Sequence, residues 1–377
     1  MKLRSLSVLT ALLSLASVSR VHSASFYDLG LLPGGSLSFA YAVSDTGLTG
    51  GGGGNTYGSG FAPWVWRPGA GMSAVPMLPG CPEGSVQGVS GNGSVLVGYN
   101  WHPTGHNRAF RWTQAAGTVG LGTFVTDGNS YADGVSADGS VVSGYASDET
   151  GYDQAFRWTQ SGGLQRLGKL PGAIYSDGLG MSRDGQVVVG ESGPWAGGQA
   201  FRWTQTGGIS GLGYLGTDGV SQALAASGDG SVIVGNSFSQ AVGARAFRWT
   251  AAGGMVALGP LDIESEANGV SADGSIVVGS SRNNGAFIWD AAQGMRSLKS
   301  VLEEQGLSLA GWDLSQAHAI SADGTTIIGY GIAPSGWTEA WIAVIPEPRA
   351  ASLLVLTAPL LLWHLGRGKG KLKWLGL

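Results

Sequence analysis

Apolar residues come in short β-branched or aromatic runs along most of this chain, separated by Gly, Asp and Asn turn signals. Around residue 140, Val135-Ser136, an Asp138-Gly139 turn and Val141-Val142-Ser143-Gly144-Tyr145 predict a hairpin. Asp and Gly tolerate the positive φ that a type I′ turn requires. Ala155-Phe156-Arg157-Trp158-Thr159 predicts a third strand, and Leu164 to Leu167, after the Gly162-Gly163 turn, a fourth. Four short antiparallel strands in one unit of this size match a propeller blade.

The unit repeats. A-F-R-W occurs at Ala109–Trp112, Ala155–Trp158, Ala200–Trp203 and Ala246–Trp249, with variants at Pro63–Trp66, Ala286–Trp289 and Ala340-Trp341, the seven Trp lying 46, 46, 45, 46, 40 and 52 residues apart. A Ser-x-Asp/Asn-Gly turn keeps phase with it, as do Leu29, Leu78, Leu121, Leu167, Leu212, Leu258 and Leu298, most of them in Leu-Gly pairs. The expectation is all-β: a seven-bladed β-propeller over residues 24–344, with the repeated Phe and Trp wedged between blades. The last copy lacks a Leu-Gly strand, and the chain begins with one, Phe26 to Gly30, so the N-terminal strand is expected to close the last blade and cover its edge. An open solenoid is the alternative, and it fits two turn signals per unit poorly. The units resemble the HAF repeats of bacterial secreted proteins, with their A-F-x-W strand and S-x-D-G-x-x-V-V-G hairpin. The resemblance covers nearly all of residues 26–342 and implies an extracellular protein of this architecture, in a family with few assigned activities.

The two ends read as addresses. Lys2 and Arg4 precede an apolar run from Leu6 to Val18, followed by Val21, Ser23 and Ala24, which predicts a signal peptide over 1–23. At the other end, Ile345-Pro346-Glu347-Pro348 precedes an apolar stretch over 350–365 and a basic tail of Arg367, Lys369, Lys371 and Lys373. As a helix that stretch would span about 24 Å, short for a hydrocarbon core of about 30 Å. The basic tail keeps the C-terminus cytoplasmic, so the intervening chain is expected to be exported. Pro346, Glu347 and Pro348 match the triplet of the PEP-CTERM sorting signal, and residues 345–377 resemble that signal. The resemblance implies processing by an exosortase-type membrane protease and sorting to the cell surface or extracellular matrix. The Lys-rich, Gly-interrupted tail departs from the family's compact Arg cluster, and a plain membrane anchor is the alternative.

Composition narrows the chemistry. Charged residues are 12% of 377, with 67 Gly and 14 Pro, and the body over 24–345 carries 13 basic and 24 acidic residues, a net charge of −11. That balance excludes nucleic acid as a partner. A single cysteine, Cys81, permits no internal disulfide and no thiolate metal cluster. His102 and His106 flank Pro103 and Gly105 in a loop with no third ligand nearby, so no metal site is expected. Gly50 to Gly54 form neither a dinucleotide nor a phosphate loop and are expected to bulge or loop out of their blade. The repeated Asp138, Asp184, Asp229, Asp273 and Asp323 read as turn residues. Arg111, Arg157, Arg202 and Arg248 read as bridges between blades.

Insertions after the second strand of several units carry Trp101, Tyr152, Trp195 and Trp337, candidate ligand-binding aromatics that could stack on sugar faces. The leading expectation is a non-enzymatic surface protein that binds extracellular polysaccharide or a matrix protein, without cofactor or catalytic residues. Its alternative is a secreted polysaccharide hydrolase or lyase on the same scaffold. Such enzymes need paired carboxylates, and the scattered Glu83, Glu149, Glu191, Glu264, Glu266, Glu303, Glu304 and Glu339 show no linear signature of one.

Overall fold

A computed structural model describes residues 23–54, 60–194, 197–216, 219–239, 243–259 and 264–346. The predicted signal peptide and transmembrane stretch, Trp195, Glu347 and Pro348 lie outside the described residues. No helix among the described residues is long and apolar enough to cross a membrane.

The protein is all-β and propeller-like. Residues 24–345 form one compact unit. Among the described residues, five sheets have four antiparallel strands each, in sequence order, and an eight-stranded sheet joins the first and last parts of the chain. In the third repeat the strands are Ser130–Val135, Val141–Ser147, Asp153–Thr159 and Gly163–Arg166. The first strand, which lies against the first strands of the neighbouring repeats, is termed the inner strand, and the fourth forms the opposite edge of the sheet. Strand Ser25–Gly30 pairs antiparallel with Thr338–Val344, Phe26 opposite Ala343, and Leu37 of the first repeat bridges Thr338.

Consecutive sheets bury apolar clusters between them. Val95, Val97 and Ala109 of one repeat pack with Ala132, Val142, Phe156 and Trp158 of the next. The same arrangement joins the last repeat to the first, where Ile328, Ala340 and Ile342 pack with Leu29, Ala40 and Trp64. Phe110, Phe156, Phe201, Phe247 and Phe287 are fully buried. Trp64 and Trp341 occupy this Phe slot in the first and last repeats: each opposes the glycine that faces Phe elsewhere, Gly51 and Gly329. Trp341 is therefore equivalent to the Phe of A-F-R-W, one strand position pair earlier than the sequence alignment of Trp residues placed it.

Polar bonds repeat with the same period. Ala155 N donates to Ser176 Oγ of the next inner strand (3.0 Å), which donates to Gly168 O (2.8 Å). Ala340 N donates to Ser38 Oγ (2.9 Å), which donates to Gly30 O (2.8 Å), so last and first repeats share this bond. Arg111 Nη2, Arg157 Nε and Arg248 Nη2 donate to the carbonyls of Gly139, Gly185 and Gly274 in the following repeat. This is the bridging role their spacing indicated.

Two local expectations are corrected, and one element is new. The Ser-x-Asp-Gly loop is a four-residue loop, not a two-residue type I′ turn: Ser136 N donates to Val141 O (2.9 Å), Gly139 N to Ser136 O (2.9 Å), and only Gly139 takes positive φ. Asp138 instead accepts from Ser136 Oγ (2.6 Å) and Ser140 N (3.0 Å), which ties the loop closed. The glycine run is a regular strand, Thr49–Gly54, paired on both sides. Finally, the long last period contains a helix, Leu298–Glu304, N-capped by Ser297 and anchored by buried Leu298 and Leu302.

Candidate functional site

Every inner strand carries a bulge. Pairing with the second strand skips Tyr41, Gln87, Asp133, Leu179, Leu224, Asn268 and His318 in the seven repeats. A bulge leaves one residue unpaired and re-aims its side chain. Two residues earlier, on the same partly exposed face, directly opposed pairs differ from repeat to repeat: Tyr131 faces Tyr145, Asp177 faces Glu191, Gln222 faces Asn236, Glu266 faces Ser280 and Gln316 faces Tyr330. The other face of the first strands carries small residues, Ser, Ala and Gly with Val86 in the second repeat, committed to packing. Variation thus concentrates where side chains are free of the fold.

The third and fourth repeats gather carboxyl groups. Asp177 and Glu191 are cross-strand neighbours, a position where Cβ atoms lie about 5 Å apart and like charges are unfavourable. Burial, reinforced by the negative charges of Asp153, Glu191 and Asp133, pushes Asp177 up to about 8. Burial pushes Asp133 up to about 7. Glu191 is also raised by burial, against a hydrogen bond from Gln222. Asp133 Oδ2 and Asp177 Oδ1 are buried with no hydrogen-bond partner. The neighbouring cation does not relieve them: Lys169 Nζ is held by Asp148 Oδ2 (2.7 Å) and Ile174 O (2.5 Å). Tyr131 stacks on Tyr145 at 4.7 Å, meets the edge of Tyr99 at 5.2 Å and accepts a hydrogen bond from Asn107 Nδ2 (2.5 Å). A Cβ added at Gly198 would lie 2.7 Å from Tyr175 Oη and 3.0 Å from Glu191 Oε2, so this glycine leaves the approach to the pair open.

The seventh and first repeats gather rings. Phe39 meets the edge of Tyr330 at 4.7 Å and stacks with Phe61 at 6.0 Å, and Tyr41 meets the edge of His318 at 5.1 Å. His318 Nδ1 donates to Tyr41 O (3.0 Å), which leaves the lone pair on Nε2, and burial lowers its affinity for a second proton. The glycine run is explained here. Gly52 stands opposite Phe39, where other repeats carry Tyr, Glu, Asn or Ser, and the Phe61 ring fills the vacant position, 2.2 Å from where a Gly52 Cβ would be.

Of the aromatics singled out from sequence, Trp101 ends the strand Val95–Trp101 and is 37% exposed, Tyr152 precedes Asp153–Thr159, and Trp337, 44% exposed, precedes Thr338–Val344. They occupy equivalent loops of three repeats, at the end of the sheets where the inner strands begin. The acidic and aromatic clusters were not legible as motifs, because each repeat contributes one or two residues and only the register unites them. Among the described residues no three His, Cys, Asp or Glu side chains come together in a way that could hold a metal ion. His102 Nδ1 instead bonds Thr104 Oγ1 (2.8 Å) within its own loop.

No protein-family model and no curated protein matches the chain. Among solved structures it is similar to an oligogalacturonate lyase in complex with manganese, at 11% identity and TM-score 0.56, covering 86% of this chain and 94% of that one. It is similar to puromycin hydrolase at 14% identity and TM-score 0.53, covering 80% of this chain and 50% of that one. It also aligns with TolB from Acinetobacter baumannii at 13% identity and TM-score 0.46, over 83% of this chain and 65% of that one. The chain therefore spans half the length of the hydrolase and about two thirds of that TolB. The likeness is one of fold, and it corrects the expectation of a non-enzymatic binding protein: the lyase and the hydrolase that share this fold are enzymes. The enzyme alternative is the better supported.

Proposed function

We propose that residues 24–344 close into a seven-bladed ring and act as a polysaccharide-cleaving enzyme, a hydrolase whose catalytic groups are Asp177 and Glu191, with Asp133 beside them. Ring closure is supported by the pairing of Ser25–Gly30 with Thr338–Val344 and by the Ala340-to-Ser38 bond that reproduces the inter-repeat bond found elsewhere. The single observation that carries the enzymatic reading is the opposed Asp177–Glu191 pair with unpartnered oxygen beside it. A carboxyl group protonated near neutral pH next to one that ionises first supplies a general acid and a carboxylate within one site, the pairing that glycosidic bond hydrolysis requires. Asp177 is the acid in this scheme and Glu191 the carboxylate; burial first, then the charges of Asp153, Glu191 and Asp133, keeps Asp177 protonated. A lyase acting on uronates has to neutralise the sugar carboxylate, and Lys169 beside this cluster is already held by Asp148 and the Ile174 carbonyl. Neutral glycans fit it better.

Export by the 1–23 segment and sorting through Pro346-Glu347-Pro348 complete the proposal, placing the enzyme at the cell surface or in a matrix polysaccharide. Mass spectrometry of the mature protein checks the sorting part: a C-terminus near Pro346 supports processing, and an intact tail overturns it. For the activity, the purified full chain is incubated with neutral and uronate polysaccharides. Reducing ends released from a neutral glycan, with a loss of at least about 100-fold in Asp177→Asn and Glu191→Gln, are expected. Unsaturated products would replace hydrolase by lyase, and no release from any glycan would overturn the enzymatic reading.

A further inference from the structure

We infer that the site is a blind pocket that accepts the end of a glycan chain, so that cleavage proceeds from a terminus; this rests on the closed ring and glycan substrate proposed above. The loops joining first and second strands meet one another at the far end of the sheets. Asp45 N donates to Gly91 O (2.9 Å), Ala137 N to Arg183 O (2.8 Å), Gly228 N to Ala272 O (2.8 Å) and Ala272 N to Ala322 O (2.9 Å). Ala322 N returns to Asp45 Oδ1 (3.3 Å), so the last loop touches the first. Gly91 and Ala137 are themselves in contact, a Cβ at Gly91 falling 3.2 Å from that of Ala137.

Main chains bonded in this way stand about 5 Å apart, and seven of them in a circle enclose an opening only about 11 Å across between backbones. Side chains fill it. Arg183 of the fourth loop reaches Asp45 of the first, Nη2 to Oδ2 at 2.5 Å, and in a ring of seven these loops lie on opposite sides. The same guanidinium lies 2.6 Å from a Cβ position on Gly91. A pyranose chain cannot thread such a gap. Asp133 lies three residues up its strand from the plug loops and Asp177 five, about 10 and 16 Å above the floor, while the insertion loops mark the open end. Across the ring from these carboxylates, Phe39, Tyr41 and Tyr330 supply ring faces for a terminal sugar. A chain that enters only from the loop end and fills the pocket above a closed floor must present a free terminus.

The test uses two readouts. The full-length Asp177→Asn chain is titrated with linear hexasaccharides of cellulose, xylan and galacturonan, each free and each capped at both ends with a dextran polymer. Binding of a free hexamer with at least tenfold weaker binding of its capped form is expected. Equal binding of both, or no binding of any hexamer, overturns the inference. The unaltered chain is then given the same hexamers labelled at the reducing end. Stepwise shortening from one end supports the inference, and internal fragments as first products overturn it while leaving the hydrolase reading intact. Selective binding of free ends without any product has the opposite meaning, upholding the blind pocket and overturning the hydrolase reading.

Discussion

Asp133 and Asp177 sit at the point where residue chemistry and fold stability conflict. Both keep a proton in the folded chain at pH values where an unfolded chain has lost it, since burial raises them to about 7 and about 8. The folded state therefore binds more protons than the unfolded state from about pH 4 upward, and stability falls as pH rises toward 8. Asp133→Asn and Asp177→Asn mimic the neutral form and should flatten that decline, leaving each variant more stable than the parent at pH 8 by on the order of 1 kcal/mol. Thermal melts between pH 5 and 8 check the slope; parallel curves for parent and variants would remove these carboxyls as its source. Phe61 and Gly52 make a second residue-scale case. Gly52→Ala drives a methyl into the ring and should cost about 1–3 kcal/mol by overpacking, measured by urea unfolding, and it should shift the environment of Tyr330 through Phe39.

At the scale of the element, the bulge accounts for the glycine that closes each V-V-x-G run. A Cβ at Gly190 would fall 1.8 Å from Asp177 O, and at Gly144 1.9 Å from Tyr131 O, because the bulged inner strand turns its carbonyl toward the second strand. Gly190→Ala should therefore break the pairing that sets Asp177 against Glu191, destabilising the chain by more than about 2 kcal/mol and abolishing any activity together with it. The conserved geometry across repeats explains why the sequence shows the glycine so clearly while the bulged residue itself varies from Tyr to Asp to His. One is fixed by steric contact, the other is released from pairing.

For the whole molecule, the decisive bond is Ala340 N to Ser38 Oγ, which spans nearly the full chain. Ser176→Ala removes the acceptor of a buried N–H between adjacent repeats and should cost about 1–3 kcal/mol. If the ends are joined as proposed, Ser38→Ala should cost a similar amount in the same denaturation assay. A loss at Ser176 with none at Ser38 would mean that the first and last repeats are not held together in solution.

Much of the architecture was legible because it is local and repeated. Strand identity, the positions of the Ser-Asp-Gly loops though not their turn type, the buried Phe and the bridging Arg each follow from a short pattern whose physical demand is met within one repeat or its neighbour. The glycine strand misled, since its missing side chain is supplied by Phe61 from beyond the run. The helix after Ser297 escaped notice because one buried turn leaves little periodicity. The site was hidden for a stronger reason. Asp133, Asp177 and Glu191 are single residues on three strands of two repeats, with no spacing that marks them as partners. Sequence alone determined the module and its period, for these obey backbone sterics and apolar burial. Only tertiary structure decided which carboxyls meet and which proton they retain, because proximity across strands and exclusion of water exist only once the sheets are stacked.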